Sequence, residues 1–282
     1  MSETVLVVSP HLDDAVLSIG ASIAAWTAAG SRVVVASVYT TGPALAEIAP
    51  SMRKFADYET RRAEDAEACA VVGAEVVRLD QIERAFRKPY LSGWSFFATP
   101  GDRSGFTTLA KVTAALDSLA ELAPDRILVP LGIGNHVDHV ETLIAATNWA
   151  SARGWLDRVS FYEDFYALSG TMRSRHFVAG LRLWRRSEAP LLRARRLAAV
   201  LNVIAVARRG PDVETYLVAA LRTATWTLTT TNVRGYEQAQ LDAIARYPSQ
   251  ARAFGGIDGI ARAIRAAHAW WGHAEPLWRP RL

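Results

Sequence analysis

Short valine-rich runs alternate with longer, alanine-rich stretches of helical pattern over the first 165 residues, and few folds accommodate that alternation. Val5 to Val8, Arg32 to Tyr39, Glu75 to Leu79, Arg126 to Pro130 and Val159 to Tyr162 each have the length and composition of a buried strand. Between them lie Val16 to Ala29, stopped by Gly30, then Tyr58 to Val72, stopped by Gly73, and Leu109 to Leu122. A strand that returns parallel to its predecessor needs a crossover helix, so repeats of this unit predict an α/β fold: a Rossmann-like, mostly parallel sheet flanked by helices. Gln81 to Phe106 mixes aromatics, Gly and Pro without periodicity and is predicted to be a long loop walling a cleft.

Beyond residue 170 the pattern is mostly helical, with a Thr-rich stretch, Thr223 to Thr231, that suits an extended strand. Neither a repeat nor a Pro/Ser-rich linker marks a boundary. The expectation is therefore one domain over residues 1–282, with a core at 3–165 and a largely helical C-terminal extension, 170–282, packed on it. Half the residues are apolar, enough to bury a full core.

Composition narrows the remaining classes. The single cysteine, Cys69, permits no intrachain disulfide, and no basic leader precedes Val5 to Val8, so a cytoplasmic protein without a transmembrane segment is expected. Arg173 to Arg209 holds ten arginines against one acid, Glu188, a local charge of +9 in a chain of net +4. Leu181, Leu183, Trp184, Leu191 and Leu192 are interleaved with them, which predicts an amphipathic helix with snorkelling arginines. Leu197 to Ala207 is too short to span a bilayer and is expected to be a buried helix, membrane-surface attachment being the lesser reading.

Two clusters carry the chemistry. Ser9-Pro10-His11-Leu12-Asp13-Asp14 leaves the first strand, and Asn135-His136-Val137-Asp138-His139 follows the fourth. Open parallel sheets bind ligands at the carboxyl ends of their strands, so both clusters belong at one edge. A catalytic zinc takes three His, Asp, Glu or Cys ligands and keeps a position for water, and His11, Asp14 and His139 supply such a set. If Asp14 opens a helix, His11 and Asp14 face one side and Asp13 points elsewhere, free to act as general base. His136 is then placed to stabilise an oxyanion as imidazolium, and Asp138 to orient one of the imidazoles. The competing reading of the first cluster is a helix N-cap, with Asp13 or Asp14 accepting backbone N–H bonds.

These residues resemble the LmbE-like, or PIG-L, family of zinc-dependent N-acetylglucosaminyl deacetylases, whose motifs are His-Pro-Asp-Asp-Glu and His-Pro-Asp-His. Here they stand as His11-Leu12-Asp13-Asp14-Ala15 and His136-Val137-Asp138-His139. The resemblance implies the same assignments: His11, Asp14 and His139 on one Zn2+ per chain, Asp13 as base, His136 at the oxyanion. It extends to Leu17-Ser18-Ile19-Gly20-Ala21, to Arg61-Arg62-Ala63-Glu64 through Gly73, to Tyr247-Pro248-Ser249-Gln250 and to Glu275 through Arg279. The chain departs from the family at Leu12 and Val137, where prolines are usual, and at Ala15, where an acid is usual. Gly134 stands where some mycothiol-pathway relatives have tyrosine, which argues against a mycothiol-type substrate.

The implied function is hydrolysis of an N-acyl group, most often acetamide, on an amino-sugar-containing glycoconjugate or natural-product intermediate. Arg61 is a candidate substrate-binding residue, its competitor an exposed ion pair within its helix. Trp94, Phe96 and Phe97 suit either stacking on a sugar face or packing beneath the loop. The alternative is a non-catalytic Rossmann-like module binding an acidic glycan or nucleotide through Arg173 to Arg209. Against it, the first strand leads into His-Leu-Asp-Asp rather than a Gly-rich phosphate loop. No nucleic-acid partner is expected, for want of a recognition motif. His176 is expected at the surface, and His268 and His273 are not expected to bind metal.

Overall fold

The computed structural model describes residues 2–50, 52–88, 99–168, 170–173, 176–178, 213–251 and 255–282. Seven strands form one sheet in the order β3-β2-β1-β4-β5-β7-β6. They are β1 (Thr4–Ser9), β2 (Arg32–Thr41), β3 (Glu75–Ile82), β4 (Arg126–Pro130), β5 (Val159–Tyr162), β6 (Thr225–Asn232) and β7 (Ala274–Arg281). The first five are parallel, whereas β7 runs antiparallel to β5 and to β6. All five strands of the predicted parallel sheet are present. The C-terminal part contributes helices and two strands as well, of which only the Thr-rich β6 was expected.

β1 is central and covered on both faces. Val5, Leu6, Val7 and Val8 are fully buried, which is why this strand reads as a continuous apolar run without alternation. Each such side chain contributes about 1.5–3 kcal/mol of burial. The longer helices among the described residues are α1 (Asp14–Ala28), α2 (Tyr58–Val71), α3 (Leu109–Ala115, tightening into 3-10 turns through Leu122), α4 (Val137–Ala152), α5 (Glu237–Ile244) and α6 (Ile257–Trp270). α3 and α4 pack on one face of the sheet with Val34, Val129 and Phe161; α1, α2, α5 and α6 pack on the other with Val5, Val7 and Val35.

Helix α1 is broken inside. Ile19 leaves helical geometry at φ −140°, ψ 28°, which strands backbone groups on both sides of the break. Residues of the C-terminal part satisfy them: Gln240 Nε2 donates to the Val16 carbonyl at 2.9 Å, and Glu275 accepts from the Ser22 N–H at 2.7 Å. The fit is close, since a Cβ on Gly20 would fall 2.7 Å from Gln240 Cγ.

His176 is buried, contrary to the surface position expected of it. Its Nε2 donates to the Leu131 carbonyl at 2.8 Å, and its Nδ1 accepts the Val178 N–H at 3.3 Å, so the neutral ring is fully used. Burial brings its pKa down to about 4. A histidine with a lowered folded-state pKa stabilises above its unfolded value of about 6.5, and that stability disappears as pH falls through the folded value. His176→Gln is expected to make urea-unfolding stability fall less between pH 7 and pH 4, by about 2–3 kcal/mol. Equal pH slopes for the two proteins would count against the assignment.

The amphipathic helix expected at Arg173 to Arg209, the Leu197 to Ala207 segment, and Trp94, Phe96 and Phe97 lie outside the described residues, apart from Arg173 and the 176–178 segment. Arg173 holds Glu163 through two 2.7 Å bonds, and Glu163 also accepts from Trp278 Nε1 at 2.9 Å. Among the described residues no helix is long and apolar enough to cross a membrane.

Candidate metal centre

Strand order reverses between β1 and β4, because the chain runs from β1 outward through β2 to β3 and then returns to β4 on the other side. The crevice beyond the carboxyl ends of two such strands is where ligands bind in open α/β sheets. His11, Asp13 and Asp14 follow β1, and His136, Asp138 and His139 follow β4.

After β1 the turn is braced internally. Ser9 Oγ donates to the His11 carbonyl at 2.8 Å and accepts from the Ala15 N–H at 3.1 Å. Asp14 is the first residue of α1, which begins two residues before the Val16 start read from the sequence, and its Oδ2 accepts the His11 N–H at 2.9 Å. Asp13 occupies the N-cap position but makes no cap hydrogen bond, so the structural alternative for its carboxylate does not hold.

After β4 the chain turns through Gly132-Ile133-Gly134-Asn135. Gly134 has φ +92°, and a Cβ there would lie 3.1 Å from Tyr166 Cβ. Glycine is needed both for the backbone and for the Tyr166 ring, which lies parallel to His136 at 6.5 Å and tilted against His139 at 5.3 Å. His136 caps α4: its Nδ1 accepts the Asp138 N–H at 3.2 Å.

Three donor atoms converge. His11 Nδ1 lies 3.0 Å from Asp14 Oδ2, and His139 Nε2 lies 3.1 Å from the same oxygen. His139 Nε2 is buried and, among the described residues, has no hydrogen-bond partner. His11, Asp14 and His139 therefore form a buried group whose ligand atoms all lie within 4.8 Å of one another. Two imidazole nitrogens and one carboxylate oxygen are a donor set suited to zinc. His11, His136 and Asp138 make an overlapping group. There Asp138 is already committed: it accepts from the Arg84 N–H at 2.9 Å and from Arg87 at 2.7 Å, and faces His11 Nε2 at 3.4 Å.

The electrostatics of the first group favour positive charge. Burial works against a charged His11, yet Glu83, Asp138 and Asp14 hold its pKa well above the ordinary value. Burial alone would lower His139, but Asp14 and Asp164 bring it up to about 9. Burial would raise Asp14; the His139 and His11 rings outweigh it and leave the carboxylate well below its usual range. Burial, then Asp14 beside it, pushes Asp13 up to about 8, with Arg61 and His11 opposing. His136 differs. Burial, then His11 and His139, lower its pKa well below 6.5, and its Nδ1 accepts the Asp138 N–H, which leaves Nε2 to carry the ring proton.

Arg61 is neither exposed nor paired within its helix, correcting one of its two expected roles. It is buried, donates to the Phe55 carbonyl at 3.0 Å and forms a short ion pair with Glu83 just beyond β3, while Glu64 instead accepts from the Ser249 N–H at 3.0 Å. The Arg61 guanidinium lowers the Asp13 pKa through its charge, opposing burial and Asp14.

Sequence reasoning missed four residues here: Asp164, Glu83, Arg87 and Tyr166. Asp164 Oδ1 bonds His139 Nδ1 at 2.6 Å and its Oδ2 accepts the Ile133 N–H at 2.9 Å. It stands two residues beyond β5, and Glu83 one beyond β3, so inspecting the carboxyl end of every strand would have found both.

Solved structures with the same fold include two antibiotic deacetylases. The A40926 pseudoaglycone deacetylase Dbv21 aligns with 98% of this chain and 96% of its own at 21% identity and TM-score 0.67. A deacetylase in the biosynthesis pathway of teicoplanin aligns with 98% and 97% at 21% identity and TM-score 0.69. The N,N'-diacetylchitobiose deacetylase of Pyrococcus horikoshii aligns with 99% and 84% at 14% identity and TM-score 0.52. No curated protein matches the sequence. The family described as PIG-L: GlcNAc-PI de-N-acetylase matches residues 6–150, just over half the chain and the span that holds both clusters, and the protein belongs to that family.

Proposed function

We propose that the protein hydrolyses the N-acetyl group of an amino-sugar-containing small molecule, with one zinc ion held by His11, Asp14 and His139. The observation that carries this reading is the convergence of those three buried donor atoms beside Asp13, a carboxylate with no capping role. Bound there, zinc supplies Lewis acidity toward the amide carbonyl and acidifies water.

The protein's own groups do the rest. Asp13 takes the proton of the attacking water and passes it to the departing nitrogen, so that amide and water become amine and acetate. His136, with its proton on Nε2, donates to the carbonyl oxygen as charge builds there. Asp138 orients His11, and Asp164 orients His139. Arg61, paired with Glu83, is set to hold a substrate hydroxyl near Asp13.

The solved structures of the same fold support this reading: they include a deacetylase of the A40926 pseudoaglycone, one in the biosynthesis pathway of teicoplanin and one of N,N'-diacetylchitobiose. The test is acetate release from a panel of N-acetylglucosamine conjugates, with and without a chelator. Release that stops with chelator and returns with zinc is expected. A purified protein with substoichiometric zinc and no released acetate across the panel would instead favour a binding module.

A further inference from the structure

We propose that Arg87 is a positioning residue for His11, acting through Asp138. The inference rests on the reading that His11 is a metal ligand, but its argument is geometric. A histidine ligating through Nδ1 must be held by its other nitrogen, and here the holder is Asp138 Oδ2, 3.4 Å from Nε2. That contact is long. It cannot by itself fix the carboxylate, whose position is set by shorter bonds on its far side.

Arg87 makes the principal one. Its Nη2 donates to Asp138 Oδ1 at 2.7 Å and to Glu141 Oε2, one turn along α4, at 3.2 Å, and its Nη1 donates to Thr108 Oγ1. Glu141 is fully buried and anchors this cation, accepting in addition from Tyr39 Oη at 2.7 Å, Thr108 N–H at 2.9 Å and Thr108 Oγ1 at 2.7 Å. The Tyr39 ring touches both ends of the relay, with the Arg87 guanidinium 5.6 Å and the His11 ring 5.8 Å from its centre. The guanidinium thus holds three acceptors, two from Nη2 and one from Nη1, in the fixed geometry of a planar fork. With Oδ1 pinned by Arg87 and the Arg84 N–H shared across both oxygens, Oδ2 is left facing His11.

Arg87 touches neither the metal donors nor the position of the acyl group, so its effect is on alignment. Arg87→Lys keeps the charge that two buried carboxylates require, and so keeps the fold, but it gives up the Nη1 bond to Thr108 and the fixed plane that aims Nη2 at Asp138. We expect zinc affinity, measured by competition with a chromophoric chelator, to fall about ten-fold, the low end of what outer partners of metal ligands contribute. In the metal-free protein we expect the His11 Nε2 proton to move upfield and exchange faster in NMR spectra. A second variant, Arg87→Met with Glu141→Gln, restores charge balance without the fork and is expected to show the same two changes.

A role confined to fold stability predicts a lower Tm with neither change. Wild-type zinc affinity together with an unmoved His11 resonance in a folded variant overturns the proposal. If the wild-type protein binds no zinc while the resonance still depends on Arg87, the proposed function fails and the positioning role stands.

Discussion

Asp13→Asn is expected to lower acetate release from any conjugate the protein hydrolyses by about 10²–10⁴-fold, the range that a positioned general base supplies, while zinc content stays at one per chain. Asparagine has the same shape but cannot accept the proton of attacking water. The proposed ligand atoms belong to His11, Asp14 and His139, so the variant separates proton transfer from metal binding. A stability change of opposite sign is expected to accompany the loss. Because burial and Asp14 raise the folded-state pKa to about 8 from 3.8, this group stabilises below the lower value and ceases to as pH rises through the upper one. At pH 9 the metal-free wild-type protein holds a buried charge that the variant lacks, and the variant's Tm is expected to be higher. Full deacetylation by Asp13→Asn would remove the carboxylate from the mechanism, whatever its effect on Tm.

The parts of this protein that its sequence disclosed share a physical cause. β1, β2, β4 and β5 are buried on both faces, and strands in that setting are written as unbroken apolar runs, so their positions were legible to within two residues. The metal donors were legible because they come in two contiguous motifs, each at the end of such a run. β7 was not, because Pro276 and Pro280 argue against a strand inside a sheet. They are tolerated because β7 meets β5 only at Leu277 and Trp278, between the two prolines, while its full length pairs with β6 on the other side.

The supporting residues were hidden for a different reason. Asp164, Glu83 and Arg87 are isolated side chains whose partners lie 25, 22 and 51 residues away, and no local pattern marks them. Arg61 was singled out from its helix, but the acid it pairs with is one that no helical spacing indicates. His176 was misplaced because its neighbours in sequence are arginines, whereas its neighbour in space is the carbonyl of Leu131 at the end of β4. The sequence singled out the side chains that converge; the arrangement that holds them depends on contacts across the sheet.

Asp164 offers the sharpest test of that arrangement. Its two oxygens do different things: Oδ2 accepts the Ile133 N–H at 2.9 Å, and Oδ1 faces His139 Nδ1 at 2.6 Å. With a carboxylate there, Nδ1 keeps its proton and Nε2 presents a lone pair toward Asp14 and the metal. In Asp164→Asn the amide must choose an orientation. The Ile133 N–H needs an acceptor and takes the amide oxygen, which turns the NH2 group toward His139 Nδ1. That nitrogen then becomes the acceptor, the proton moves to Nε2, and the ligating position is blocked. Zinc affinity and deacetylation are therefore expected to fall at least 100-fold, the upper end for a partner of a metal ligand. Asp164→Ala, which imposes no tautomer, is expected to lose only about ten-fold. The order of the two variants carries the argument, since a merely structural Asp164 would make the isosteric asparagine the milder change. An alanine variant that binds zinc more weakly than the asparagine variant would show that His139 is not held in this way.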